Sequence, residues 1–417
     1  MSVPGNLCLM PWLHAHVDAQ GVRGLCAVDL GRFEIDDDKM GTSLQDYWNS
    51  ESMRTVRRQM LSDELPHRCR LCKGDGNRAQ SLKDEINERW KEWLPHAVSE
   101  TDASGSTTLT PFSFDYRNSI CNLKCRICGP RSSTALEAEA RSNDAIGRIE
   151  AHVGAWDRTY QVRRGHAIKA SLLELQEAVA SGTIRHLYWA GGEPLFDDTH
   201  WKIMQALVES GQAGNVDVVY NTNLTMLSFK GKSVEELWPS FRSVHVQASV
   251  DGLGACGEFI RKGFQTEVFI RHVDALIALS RNNPTIHLSF DITLTSVGLL
   301  YLGDLLEFAL RRRVRLTAKL MKPRDQNYYL ALEALPTEVS RDWSGRWMTW
   351  IAAHDTDDLL GAVYDTLLHH LRHRSEPDQD LLSTSRDTLA AFDQVRGEAG
   401  IFRHLCAIDD RLVLFPG

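Results

Sequence analysis

From residue 112 to about 320 the chain alternates short β-branched and aromatic runs with longer stretches of helical period. The runs at 112–117, 185–190, 216–221, 243–250, 286–294 and 314–320 predict strands, and 170–180, 200–210, 268–281 and 299–311 predict helices between them. Strands with intervening helices predict a parallel sheet of right-handed βαβ units. The stretch 131–184 is long for one crossover and is expected to hold extra helix. After 326 the pattern is helical, and no internal repeat appears.

Two strands carry a finer pattern. In "IHLSFDITLT" Leu288, Phe290, Ile292 and Leu294 alternate with His287, Ser289, Asp291 and Thr293. In "SVHVQASVDG" Val244, Val246, Ala248 and Val250 alternate with His245, Gln247, Ser249 and Asp251. Parallel strands covered on both faces read as unbroken apolar runs. Here helices are expected on the apolar face, and the polar face lines something wet or ligand-filled. An open, curved barrel with a binding lumen fits this better than a flat doubly wound sheet. An antiparallel sheet with one solvated face is the plainer alternative, disfavoured by the intervening helices.

Upstream, residues 1–75 hold four cysteines among short segments. "SLQDYWNSESMRTVRRQML" (43–61) predicts a helix capped by Ser43, with Leu44, Tyr47 and Trp48 on one face. A connecting helix is expected over 80–95, and "SETDASGSTTLTP" (99–111) reads as a linker. The expected division is a module at 1–98, the linker at 99–111, the βα domain at 112–325 and a mostly helical region at 326–417.

Composition changes this picture little. The 417 residues are 43% hydrophobic and 24% charged, ordinary for a folded protein. A net charge of −8, with one short basic run at Arg311–Arg313, gives no reason to expect nucleic acid. "MSVPGNLCLMPW" lacks the pattern of a secretory leader, and no apolar stretch reaches the ~18 residues of a membrane span. A cytoplasmic protein is expected, where nine cysteines argue against a disulfide framework.

The cysteines sort by spacing. Cys121, Cys125 and Cys128 lie in "SICNLKCRICGPR", directly after the first strand of the βα domain. Three thiolates so close repel one another unless a cation neutralises them. The same spacing would also set three buried thiols on one helical face, but Asn122, Lys124, Arg126 and Gly129-Pro130 are no apolar stripe. Zinc takes four ligands in a structural site, or three plus water in a catalytic one. An iron–sulfur cube held by three cysteines keeps one iron open.

"CNLKCRIC" resembles the C-x3-C-x2-C signature of the radical S-adenosylmethionine (SAM) superfamily. "YWAGGEPL" (188–195) resembles its GGE motif, and "YNTNLT" (220–225) and "ASVDG" (248–252) stand where its third and fourth strands end. The resemblance covers about 110–325. It implies a partial (β/α)6 barrel, preceded here by a small auxiliary-cluster module and followed by a helical region. It also implies a [4Fe–4S] cluster on Cys121, Cys125 and Cys128, with SAM on the open iron. Reductive cleavage of SAM then gives methionine and a 5′-deoxyadenosyl radical that abstracts hydrogen from substrate. Gly191, Gly192 and Glu193 are implied at the methionyl amine, Ser249 and Asn223 at the SAM carboxylate or ribose, and Ile127 against adenine. A flavodoxin- or ferredoxin-type electron donor is the implied partner.

Cys8, Cys26, Cys69 and Cys72 make a second, four-thiol set in which a C-x2-C knuckle joins two remote thiols. Spacing leaves zinc and iron–sulfur both open. "PWLHAHV", "SLQDYWNSESMRTVRRQML" and "CRLC" resemble SPASM/twitch extensions, which implies an auxiliary [4Fe–4S] cluster, the second expected here.

Cys256 and Cys406 remain. Cys256 follows a lumen-lining strand, where a thiol could return hydrogen to a substrate radical; Cys406 is the second choice, and a small buried hydrophobe is the plain reading of either. Asp115, Arg117, His245, Gln247, Asp291 and Lys319 fall on polar strand positions and are substrate candidates. The first expectation is C–H modification of a small or medium polar natural product, such as epimerisation of a carbohydrate with Cys256 as donor. The alternatives are modification of a ribosomal peptide and, from another class, a zinc-stabilised binding protein.

Overall fold

The computed structural model describes residues 3–29, 40–70, 72, 82–143, 158–321 and 328–412. The principal strands are β1 (His14–Val17), β2 (Arg23–Gly24), β3 (Ser113–Tyr116), β4 (Lys124–Cys125), β5 (His186–Trp189), β6 (Asp217–Thr222), β7 (Ser243–Ser249), β8 (Arg261–Lys262), β9 (Ile286–Leu294) and β10 (Arg315–Leu320). The chain forms two compact units. One comprises residues 1–119, 156–220 and 232–244, and the other 120–155, 221–231 and 245–417, so the boundary falls inside β6 and inside β7.

In the first unit the strand order is β2-β1-β3-β5-β6. The pairs β1–β3, β3–β5 and β5–β6 are parallel, with His14 opposite Ser113, Ser113 opposite His186 and His186 opposite Asp217. In the second unit the order is β7-β9-β10, and β9 and β10 pair in parallel from Ser289–Arg315 to Leu294–Leu320. Neighbouring strands of the βα region therefore follow chain order, with helices between them. This is the α/β architecture expected of a partial (β/α)6 barrel, and the helical C-terminal region follows it as Thr337–His354, Gly361–His373, Gln379–Arg396 and Ile401–Cys406.

The alternation of side chains divides the faces as expected. Phe290 of β9 packs against Phe308 at 5.4 Å and Phe269 at 6.1 Å, on the helices Leu302–Arg312 and Thr266–Asn282. Trp189 of β5 donates to Met204 Sδ at 3.3 Å on helix Asp198–Glu209. Val244, Val246 and Ala248 are buried, while Gln247 and Ser249 are partly open and His245 is exposed.

The N-terminal segment contributes β1 to the first unit's sheet, an addition that periodicity did not foretell. Its core gathers Leu7, Leu9, Trp12, Leu13, Trp48 and Met53, with Cys8, Cys26 and Cys69 packed against it. The helix expected over 43–61 is two helices, Leu44–Trp48 and Glu51–Leu61. Ser50 turns extended and its hydroxyl accepts from Met53 N, so a second cap interrupts the helical period. Arg57, fully buried, donates to Pro11 O at 2.9 and 2.7 Å between the Trp12 and Trp48 rings. The Ser/Thr/Gly stretch 99–111 is firmly packed: Trp12 Nε1 donates to Thr101 Oγ1, and Trp48 Nε1 to Leu109 O, both at 2.7 Å.

Candidate functional site

In the second unit Cys121 and Cys125 are buried and Cys128 is partly so. A hydrogen bond with Cys128, then burial, pushes the Cys125 thiol well above the usual range, with Cys121 adding to the rise and Arg261 opposing it. Leu123 N donates to Cys121 Sγ at 3.4 Å. β4 pairs antiparallel with β8, Cys125 opposite Arg261. Arg261 Nε donates to Asp251 Oδ2, and Thr293 N to Asp251 Oδ1, both at 2.8 Å, so both oxygens of this buried carboxylate are engaged. Sequence reasoning missed this Asp251–Arg261 pair and Arg126; the basic residues flanking the cysteines were the available signal.

Asn223 is tied to the cysteine loop. Its Nδ2 donates to Asn122 Oδ1 at 3.0 Å, while Asn122 Nδ2 donates to Thr225 Oγ1 at 2.8 Å. Between them Leu224 adopts φ +54°, a strained turn stabilised by Thr222 Oγ1. Ile127 is partly open. On the polar strand faces Lys319 Nζ pairs with Asp291 Oδ2 at 2.5 Å, and Ser249 stands at the carboxyl end of β7. Gln247 lies one alternation earlier, and exposed His245 stacks on His287 at 4.6 Å towards the amino ends of the strands. Cys256 and Cys406 are both buried and close enough to interact, on the packed helices Gly254–Ile260 and Ile401–Cys406. Burial raises both thiols, Cys406 to about 12.

In the first unit the GGE loop follows β5 with Gly191 at φ +80° and Gly192 at φ +56°. A Cβ on Gly191 would come within 2.9 Å of Arg117 Cβ and Asn118 O, so two reasons require glycine there. Glu193 is buried and accepts from Leu195 N at 3.0 Å. Asn118 Nδ2 donates to Asp197 Oδ2 at 2.6 Å, pinning the loop beyond β5 to the end of β3. Gly191→Ala is expected to lower stability by about 1–3 kcal/mol, read as a shift in the urea midpoint. A variant as stable as its parent would contradict this backbone geometry.

The four N-terminal thiols press on one another. Burial, with Cys69 and Cys72 adding, raises Cys8 to about 12; burial, with Asp29 and Cys72 adding, raises Cys69 to about 12; Cys26 rises likewise, with Cys8, Asp29 and Cys69 contributing. Thiols raised as those of Cys8, Cys26 and Cys69 are stay protonated until a metal centre displaces their protons.

A buried polar row crosses β1, β3 and β5. Arg89 Nη1 donates to His186 Nε2 at 3.0 Å, His186 Nδ1 and His14 Nδ1 each meet Ser113 Oγ at 2.8 Å, and His16 Nδ1 meets Asp115 Oδ2 at 3.1 Å. Arg89 can only donate, so neutral His186 carries its proton on Nδ1. Arg117 forks onto both oxygens of Asp115 at 2.8 Å and holds this carboxyl well below its usual range against the opposing effect of burial. His14, His16 and Asp115 place ligand atoms within 4.8 Å of one another. Arg117 already neutralises the carboxylate, so the row is balanced without a cation.

No family model matches the chain, and no curated protein does. Among solved structures, Streptococcus suis SuiB bound to S-adenosylmethionine aligns at 12% identity and TM-score 0.37 over 68% of this chain and 58% of that one. SuiB bound to its precursor peptide SuiA aligns at 12% and 0.38 over 68% and 57%. Native anSMEcpe with bound AdoMet aligns at 16% and 0.35 over 57% and 60%. The chain thus spans less than two thirds of those proteins. These likenesses are distant, and the functional reading rests on the residues themselves.

Proposed function

We propose that this protein is a radical SAM enzyme with a second, auxiliary iron–sulfur centre. The observation that carries the reading is the three-thiol loop: Cys121, Cys125 and Cys128 lie together just beyond β3 in sequence, with Arg261 beside them and itself held by the Asp251 carboxylate. These residues would hold a [4Fe–4S] cluster with one iron open, and the bound cluster with SAM would supply the electron and the hydrogen-abstracting radical. The chain's own part is to hold the loop through Asn122 and Asn223 and to present polar side chains to substrate. Asp291 and Lys319 suit a polar, hydrogen-bonding substrate, and Ser249 suits the SAM carboxylate or ribose.

The quartet Cys8, Cys26, Cys69 and Cys72 would hold the auxiliary centre. Spacing alone suits zinc as well; the resemblance of "PWLHAHV", "SLQDYWNSESMRTVRRQML" and "CRLC" to SPASM/twitch extensions supports an iron–sulfur centre there.

The test is anaerobic reconstitution. Brown protein carrying about eight irons, a spectroscopic change on adding SAM, and 5′-deoxyadenosine after reduction are expected. Colourless protein retaining zinc, with no response to SAM, would refute the proposal.

A further inference from the structure

The role of the C-terminal helices is open in the reading above, and the second unit offers one. Arg126 stands between two of the three cysteines, yet its side chain is completely buried. Its Nη2 donates to Asp393 Oδ1 at 2.5 Å and Glu398 Oε2 at 2.7 Å, and its guanidinium lies 4.2 Å from the Phe259 ring centre. Its backbone N–H donates to Ile260 O at 2.8 Å, extending the β4–β8 pair. Lys262, opposite Lys124 in that pair, donates to the other oxygen of Glu398 at 2.5 Å. Lys124 reaches Glu139 Oε1 at 3.0 Å, and Arg396 Nη2 grips the same carboxylate at 2.6 Å.

Three groups at one helix end, Asp393, Arg396 and Glu398, thus hold both sides of Cys125. Gly397 at φ +65° ends the helix Gln379–Arg396, and the Glu398 N–H returns to Asp393 O at 2.8 Å, setting both acids on Arg126. A buried guanidinium held by two carboxylates has few alternative positions, because losing either leaves a buried charge uncompensated.

We propose that the Asp393–Arg396–Glu398 corner is a brace for the three-cysteine loop, with Arg126 as the positioning residue through which it acts. The inference deepens the iron–sulfur reading by assigning retention of that centre to the C-terminal region.

The test uses the full chain carrying Asp393→Asn with Glu398→Gln, and separately Arg126→Lys and Arg126→Leu. In metal-free protein, hydrogen exchange over 119–130 is expected to quicken at least about tenfold in the double variant and Arg126→Leu, while 266–282 keeps its protection. After reconstitution these variants should release iron to a ferrous chelator at least about tenfold faster than wild type, with Arg126→Lys in between because lysine keeps the charge but lacks the planar group that lies over Phe259. If the double variant does not fold, Glu398→Gln alone is measured the same way. Exchange and iron release both within about twofold of wild type in a folded variant overturn the brace. Wild-type protein that takes up no iron overturns the cluster reading alone, since the exchange measurement still decides the brace.

Discussion

Cys125→Ser is expected to empty the three-cysteine loop, lowering reconstituted iron from about eight to about four per chain and abolishing 5′-deoxyadenosine formation. Cys125 is buried, paired to Arg261 across β4–β8 and hydrogen-bonded to Cys128, so no neighbouring thiol can replace it. A serine hydroxyl gives up its proton far less readily than a thiol and is a poor ligand for iron in a thiolate site. Cys69→Ser should remove a similar amount of iron from the other unit and leave the SAM-dependent spectroscopic change in place. Iron analysis and electron paramagnetic resonance on the two variants check both halves. Undiminished 5′-deoxyadenosine from Cys125→Ser would dispose of the assignment.

Acid should unfold the protein well above the carboxylate range. Burial holds His14, His186 and His200 down at about 3, with Arg89 adding at His186 and Lys232 at His200. All three are neutral in the folded chain, whereas the unfolded chain takes up their protons below about 6.5. Their folded pKa values are depressed, so stability falls as pH drops from 6.5 towards 3, by about 1.4 kcal/mol per histidine per pH unit. Three such groups cost about 4 kcal/mol per unit, which exhausts an ordinary stability of 5–15 kcal/mol within a few units. Asp115, held well below its usual range by Arg117 and His16 despite burial, adds to the loss below about pH 4. Urea unfolding followed by tryptophan fluorescence between pH 7 and 4 should show this slope, to which His370, lowered by burial to about 4, also contributes, and His200→Gln should remove about 1.4 kcal/mol per pH unit of it. A flat profile over that range would show that these imidazoles are not buried as neutral groups.

Much of this architecture was readable because it is local. The six strand runs were found within one or two residues of β3, β5, β6, β7, β9 and β10, since alternation along a strand depends only on which face meets the helices. The helix over 43–61 was misjudged as continuous because Ser50 caps a second helix inside an unbroken apolar period. The cysteine spacings, the GGE loop after β5 and the polar strand positions could likewise be read directly, because residue type and spacing are local.

By itself the chain's order of residues determined the elements, the parallel βα pattern and the donor groups available. Only tertiary structure decided that His14 and His16 join Ser113 and Asp115 on adjacent strands, and that Arg126 is gripped by groups 267 and 272 residues away. Periodicity specifies which face of an element is apolar, not which distant element will cover it. Ion pairs such as Arg126 with Asp393 and Glu398 arise only when the packed interior excludes water and leaves each charge one partner within reach.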